Sequence, residues 1–140
     1  MDETKKTLVG LELLDIERDR AIIRVARRLS GPDVPLVLLH AHVIRQTAVL
    51  DFVKTESPEH LTQELDRATD KLKALAAEIG GPVEIDVAIG HPPEVILERS
   101  KDMGLVVIGR TERALVQRVI EGSVESRLVA STSCPLVIVP

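Results

Sequence analysis

Apolar and polar positions fall in two alternating kinds of block along this chain. Thr7 to Leu14 and Val34 to Val43 are short, mostly apolar runs, the second nearly unbroken up to His40. A run of that kind fits a strand covered on both faces. From about Ile16 the pattern changes to Ile22, Val25, Ala26 and Leu29 at i, i+3, i+4 and i+7, one face of a helix. Ser30-Gly31-Pro32 stops that helix. Ile44 to Glu56 keeps neither period and reads as irregular. Ser57-Pro58-Glu59 then supplies a cap and a first-turn proline for a long helix. Leu61, Leu65, Ala68, Leu72, Leu75 and Ile79 give that helix a core-facing stripe, closed by Gly80-Gly81-Pro82. Val83, Ile85, Val87 and Ile89 alternate with Glu84, Asp86 and Ala88, as in a half-exposed strand near a sheet edge. Gly90-His91-Pro92-Pro93 turns into a third helix over roughly Glu94 to Met103. Leu105 to Ile108 is a fourth strand, Ser123 to Ser131 lies in a fourth helix, and Pro135 to Val139 is the closing strand.

Strands joined through single helices imply right-handed crossovers. The expected fold is therefore α/β: an open, doubly wound, five-stranded parallel sheet with helices on both faces, Rossmann-like in class. Such sheets take ligands beyond the carboxyl ends of the strands, where the strand order reverses. Glu12, His40 to His42, Gly90 and Gly109 stand at those ends.

Composition narrows the function classes. With 140 residues, 44% hydrophobic and 29% charged, the chain reads as one globular domain over residues 1–140 with a substantial core. A net charge of −4 argues against general nucleic-acid binding, and Phe52 as the single aromatic residue leaves no platform for stacked bases. No apolar run is long enough to span a membrane, and the charged start Met1-Asp2-Glu3-Thr4-Lys5-Lys6 lacks a secretory apolar core. Cys134 stands alone, so neither an internal disulfide nor a cysteine metal cluster can form. A cytoplasmic setting is expected.

Candidate chemistry concentrates in the last third. An apolar strand that ends at Gly109, followed by Gly122-Ser123 at a helix start, is a way to build an anion site from outward-pointing backbone N–H groups. A serine cap beside a glycine is also an ordinary helix start. His40 and His42 point to the same side of their strand and read as a buried or crevice-lining pair rather than metal ligands. His91 reads equally well as a crevice residue or a turn residue. Cys134, with no basic neighbour in sequence, reads as inert. No Ser-His-Asp set, metal set or acid pair commits the chain to catalysis, and a weak ATPase is the most that Glu12 as a lone acid would allow. Pro135 to Val139, apolar and last in the chain, is expected at a sheet edge, where a second copy would cover it across a two-fold axis.

Taken together these residues resemble the universal stress protein family over essentially the whole chain. The resemblance rests on Leu8-Val9-Gly10-Leu11 with an acid after it, Leu38-Leu39-His40, Gly90-His91-Pro92, Val106-Val107-Ile108-Gly109, Gly122-Ser123-Val124, and the ending Cys134-Pro135-Leu136-Val137-Ile138-Val139. Nucleotide-binding members carry glycine, two residues, glycine, nine residues, then glycine with serine or threonine. That frame falls on Gly109, Glu112 and Gly122-Ser123, so a glutamate stands in place of the middle glycine. Glu12 likewise stands where those members usually have aspartate. The resemblance implies ATP or AMP, with Mg²⁺, held by Glu12 near the ribose and adenine, by Ala41 against the adenine, and by the loop of Gly109, Gly122, Ser123 and Val124. Arg110, Arg113 and Arg118 can offset the negative charge of Glu112. It also implies a homodimer paired through the last strand, acting as a regulatory or protective module; a regulatory protein partner is compatible with this, and nothing in the sequence identifies one.

Overall fold

A computed structural model describes residues 5–44, 46–49, 52–110 and 132–140. In chain order the elements are β1 (Lys6–Gly10), α1 (Ile16–Ser30), β2 (Leu36–His42), β3 (Gln46–Val49), β4 (Phe52–Thr55), α2 (Pro58–Ala77), β5 (Val83–Ile89), α3 (Pro92–Ser100), β6 (Met103–Gly109) and β7 (Leu136–Val139). Five strands form one sheet in the order β5-β2-β1-β6-β7. All four pairings are parallel. The chain winds outward from β1 to β2 and β5, then crosses back to β6 and β7. With right-handed crossovers, that reversal sends the connecting helix to the opposite face. Accordingly α1 and α2 cover one face, where Val9, Leu11, Leu36, Leu38 and Val107 meet Ile22, Ala26 and Leu72. On the other face, Leu8, Val37, Leu39, Val106 and Ile108 meet Val95 and Ile96 of α3. The expected α/β class and parallel sheet are both present.

Four elements depart from the sequence expectation. The first strand stops at Gly10 rather than Leu14. Leu13 adopts a positive φ of 61°, which no strand tolerates, and Asp15 then caps α1 by accepting from Glu17 N and Arg18 N. The segment from Ile44 to Glu56 is not irregular throughout, since β3 and β4 pair antiparallel, from Gln46 opposite Thr55 to Val49 opposite Phe52. Its apolar residues are too few to betray a two-stranded unit by period alone. The third helix begins at Pro92 and ends at Ser100, leaving Met103 as the first residue of β6. Within α1 the buried stripe is also rotated: Ile23 is buried beside Ile22 and Ala26, and Leu29 is exposed. The fourth helix, Ser123 to Ser131, lies outside the described residues.

Both sheet edges match their sequence reading. β5 is an edge strand and carries Glu84 and Asp86, paired with Lys6 and Arg99 at 2.8 Å each. β7 is the opposite edge and is wholly apolar and half-buried.

Candidate functional site

The strand order reverses between β1 and β6, so a crevice opens beyond Gly10 and Gly109. Four predicted site residues lie at this rim. Gly109 ends β6, and Arg110 follows it, exposed, with its N–H donating to Val139 O at 2.8 Å. Glu12 is exposed on the loop between β1 and α1. Ala41 lies near the end of β2, in register with Ala88 and on the α3 face of the sheet. Glu112, Gly122, Ser123 and Val124, with Arg113 and Arg118, fall outside the described residues.

Packing gives Gly109 a role of its own. A Cβ added there would meet Ile22 Cδ1 at 2.5 Å and the Arg18 guanidinium at 3.3 Å. Ile22 is buried, so it has little room to withdraw. The glycine is therefore demanded by the close approach of α1 to β6, whatever else it serves. Gly109→Ala is expected to destabilise the protein by about 1–2 kcal/mol in urea unfolding, with or without nucleotide present. A neutral effect would show that α1 is free to shift.

Arg18 was not legible as a site residue. It sits one turn into α1, and in sequence it is merely one of several helix arginines. In the fold its guanidinium lies against Gly109 and donates to the Arg110 carbonyl, 92 residues away. A cation thus stands at the carboxyl end of β6.

The loop from Leu11 to Asp15 is held from three elements. His40 of β2 lies 3.0 Å from Leu11 O through Nδ1. A carbonyl only accepts, so Nδ1 carries the proton. Burial lowers the His40 pKa, partly opposed by that hydrogen bond, and keeps the ring neutral. Lys71 of α2 donates to Leu13 O at 3.4 Å. Asp19 of α1, only 3% exposed, takes a hydrogen bond from the Leu13 backbone. Burial pushes its carboxyl up to about 6, and the charges of Asp15 and Glu12 add to the rise, while the Leu13 bond and Lys71 oppose it.

His42 has a carboxylate partner that sequence distance concealed. Its Nε2 lies 3.0 Å from Glu56 Oε2, and His60 Nε2 lies 3.2 Å from Glu56 Oε1. The Glu56 side chain is 1% exposed. This cluster joins the end of β2 to the segment after β4 and the first turn of α2. Among the described residues no group of three or more His, Cys, Asp or Glu is placed to hold a metal ion. His91 is exposed at the N-cap of α3 and makes no side-chain cap bond.

Residues 3–140 match the sequence profile of the universal stress protein family. The chain belongs to that family. Over 83 residues, 58% of this chain, it is 31% identical to universal stress protein MJ0531 of Methanocaldococcus jannaschii. The match covers 49% of that protein, so the chain spans about half the length of the curated relative it matches. The fold resembles universal stress protein UspA from Lactobacillus plantarum, with a TM-score of 0.65 at 15% identity, covering 99% of this chain and 100% of that one. It also resembles a universal stress protein solved in complex with cAMP, with a TM-score of 0.64 at 17% identity and 99% of both chains covered. The stress-protein fold and its five-stranded parallel sheet are thus established for this chain. Among the described residues no helix is long and apolar enough to cross a membrane.

Proposed function

We propose that this universal stress protein is a single-domain, dimeric regulatory or protective module whose crevice is a nucleotide site altered at Glu112. The carrying observation is the position of that acid. In sequence it follows three residues after Gly109, and Gly109 ends β6 at the switch point of the sheet, where such folds take their ligands. A carboxylate there opposes a triphosphate more than a monophosphate, because repulsion grows with each added charge. Arg18 and Arg110 supply cations at the same rim, and Mg²⁺ can bridge an acid and phosphates.

The second reading is a sensor that binds ATP or AMP through Gly109 and Gly122-Ser123. It is favoured by Arg18 at the glycine and by the relative solved with cAMP. Calorimetry with ATP and with AMP, each with Mg²⁺, separates the two once the stock has been checked for copurified nucleotide. Micromolar affinity for ATP would establish the sensor. No binding of either nucleotide at millimolar concentration would leave a stress-family scaffold that works through protein partners.

Dimerisation is assigned to β7 rather than β5. Charged residues along β5 guard that edge, whereas β7 is wholly apolar and, among the described residues, no strand pairs with its outer side. Pro135 O and Val139 O accept from β6, and N–H and C=O of alternate strand residues point the same way. The outward groups therefore belong to Leu136 and Ile138. Ile138→Pro removes an outward N–H without cutting a bond to β6. Sedimentation of this variant is expected to show monomer at concentrations where the wild type is a dimer, with an unchanged far-ultraviolet spectrum. A variant that stays dimeric would place the interface elsewhere.

A further inference from the structure

We infer that Arg18 is a specificity-determining residue of the crevice, selecting a ligand that carries a phosphate over the same ligand without one. The inference rests on the crevice reading above and adds to it a side chain of α1 that lies outside the glycine loop.

Gly109 ends β6 at the switch point of the sheet. A glycine in such a place can let an anion approach the backbone. Here the space on the side a Cβ would take is already filled from within the chain. Ile22 Cδ1 would lie 2.5 Å from that Cβ, and Arg18 Nε and Nη2 would each lie 3.3 Å from it. A solute that reaches this side of Gly109 therefore meets a guanidinium before it meets the backbone.

That guanidinium is held in place. Its Nη2 donates to Arg110 O, and the Arg110 N–H donates in turn to Val139 O at 2.8 Å. The Arg110 backbone is thus fixed from β7 on one side and from α1 on the other. At its own end, Arg18 donates its backbone N–H to Asp15 Oδ1, in the cap of α1. A planar guanidinium carries five N–H donors, so one carbonyl leaves donors for a second acceptor. Restraint present before binding lowers the ordering cost when a ligand arrives.

Charge sets Arg18 apart from its helix neighbours. Arg20 pairs with Glu17 and Glu78, and Arg27 donates to the carbonyls of Gly31, Val34 and Pro82. Among the described residues no carboxylate pairs with the Arg18 guanidinium. The side chain is partly exposed, so a diffusing anion can reach it, and exposed Arg110 adds a second cation beside it. A guanidinium matches the oxygen geometry of a phosphate, and the resulting bonds are charge-assisted. One such contact corresponds to about tenfold to a hundredfold in affinity.

Calorimetry with AMP and with adenosine, on wild type and Arg18→Gln, is the test. The wild type is expected to bind AMP roughly tenfold or more tightly than adenosine. In Arg18→Gln that advantage disappears while the affinity for adenosine stays as it was. An undiminished preference for AMP in the variant would overturn the proposal. So would an equal loss for both compounds, because that is the signature of a purely structural role. If the wild type binds neither compound, the nucleotide reading fails by itself and inorganic phosphate becomes the probe for Arg18. Phosphate is then expected to shift the Arg18 Nε–Hε resonance of the wild type more than chloride does at equal ionic strength. Equal responses to the two salts would sink the assignment.

Discussion

Glu112→Gly is expected to tighten ATP binding by about three orders of magnitude. A carboxylate about 4–5 Å from a phosphate charge is repelled by about 3–4 kcal/mol at an effective dielectric near 20. A non-glycine residue forced to positive φ adds about 1–2 kcal/mol. Micromolar affinity corresponds to only about 8 kcal/mol, so relief of this size moves binding from millimolar toward micromolar. Glu112→Gln separates the two contributions, since it removes the charge and keeps the side chain. Calorimetry on both variants with ATP and AMP should show a larger gain for ATP. Equal affinities in wild type and both variants would mean that Glu112 does not face the phosphates.

The second large effect is on stability, at Asp19. Its folded-state pKa is raised, to about 6, so between pH 3.8 and 6 the folded protein holds a proton that the unfolded chain has released. For a raised acid the sign is fixed: stability is greatest below this window and falls as pH rises through it. The loss at pH 7 amounts to about 3 kcal/mol at most. Asp19→Asn should abolish that slope and be more stable than wild type above pH 6 by up to this amount. Urea unfolding of both proteins at pH 4.5, 5.5, 7 and 8 checks it. The other titrating groups are shared, so the difference between the two curves isolates Asp19. A difference that does not change with pH would refute the prediction.

Asp19 shows why local pattern misses such residues. In sequence it is an acid in the first turn of a helix, a common and favourable place for one. Nothing nearby in sequence indicates that it is buried. Ile23 and Leu29 exchange roles for a related reason. The helical period gives the width of the apolar stripe, but the angle at which α1 crosses β1 and β6 decides which flank of the stripe is covered. The β3–β4 unit is not legible because its strands are four residues each, too short to show an alternating period.

Other features were legible because one physical cause dominates each. Leu36 to Leu39 are all buried, and an unbroken apolar run has no other stable place than the middle of a two-sided sheet. Glu84 and Asp86 marked β5 as an edge, since charges at alternate positions need water or a partner. Ser57 and Pro58 fixed the start of α2, where Ser57 accepts from His60 N at 3.2 Å. The run of motifs from Leu8-Val9-Gly10-Leu11 to the last strand resembles the family, and the family profile agrees on the family.

The sequence by itself thus determined the α/β class, the parallel sheet and the apolar last strand, which follow from periodicity and punctuation, and the family, which follows from the resemblance of its motifs. Tertiary structure alone decided three things: that Arg18 stands at Gly109, that Glu56 lies between His42 and His60, and that Asp19 is buried. Each depends on contacts between segments whose separation in the chain carries no local signal. Charge and hydrogen bonding act through space over a few ångströms, and only the packed crossovers bring those groups within that range.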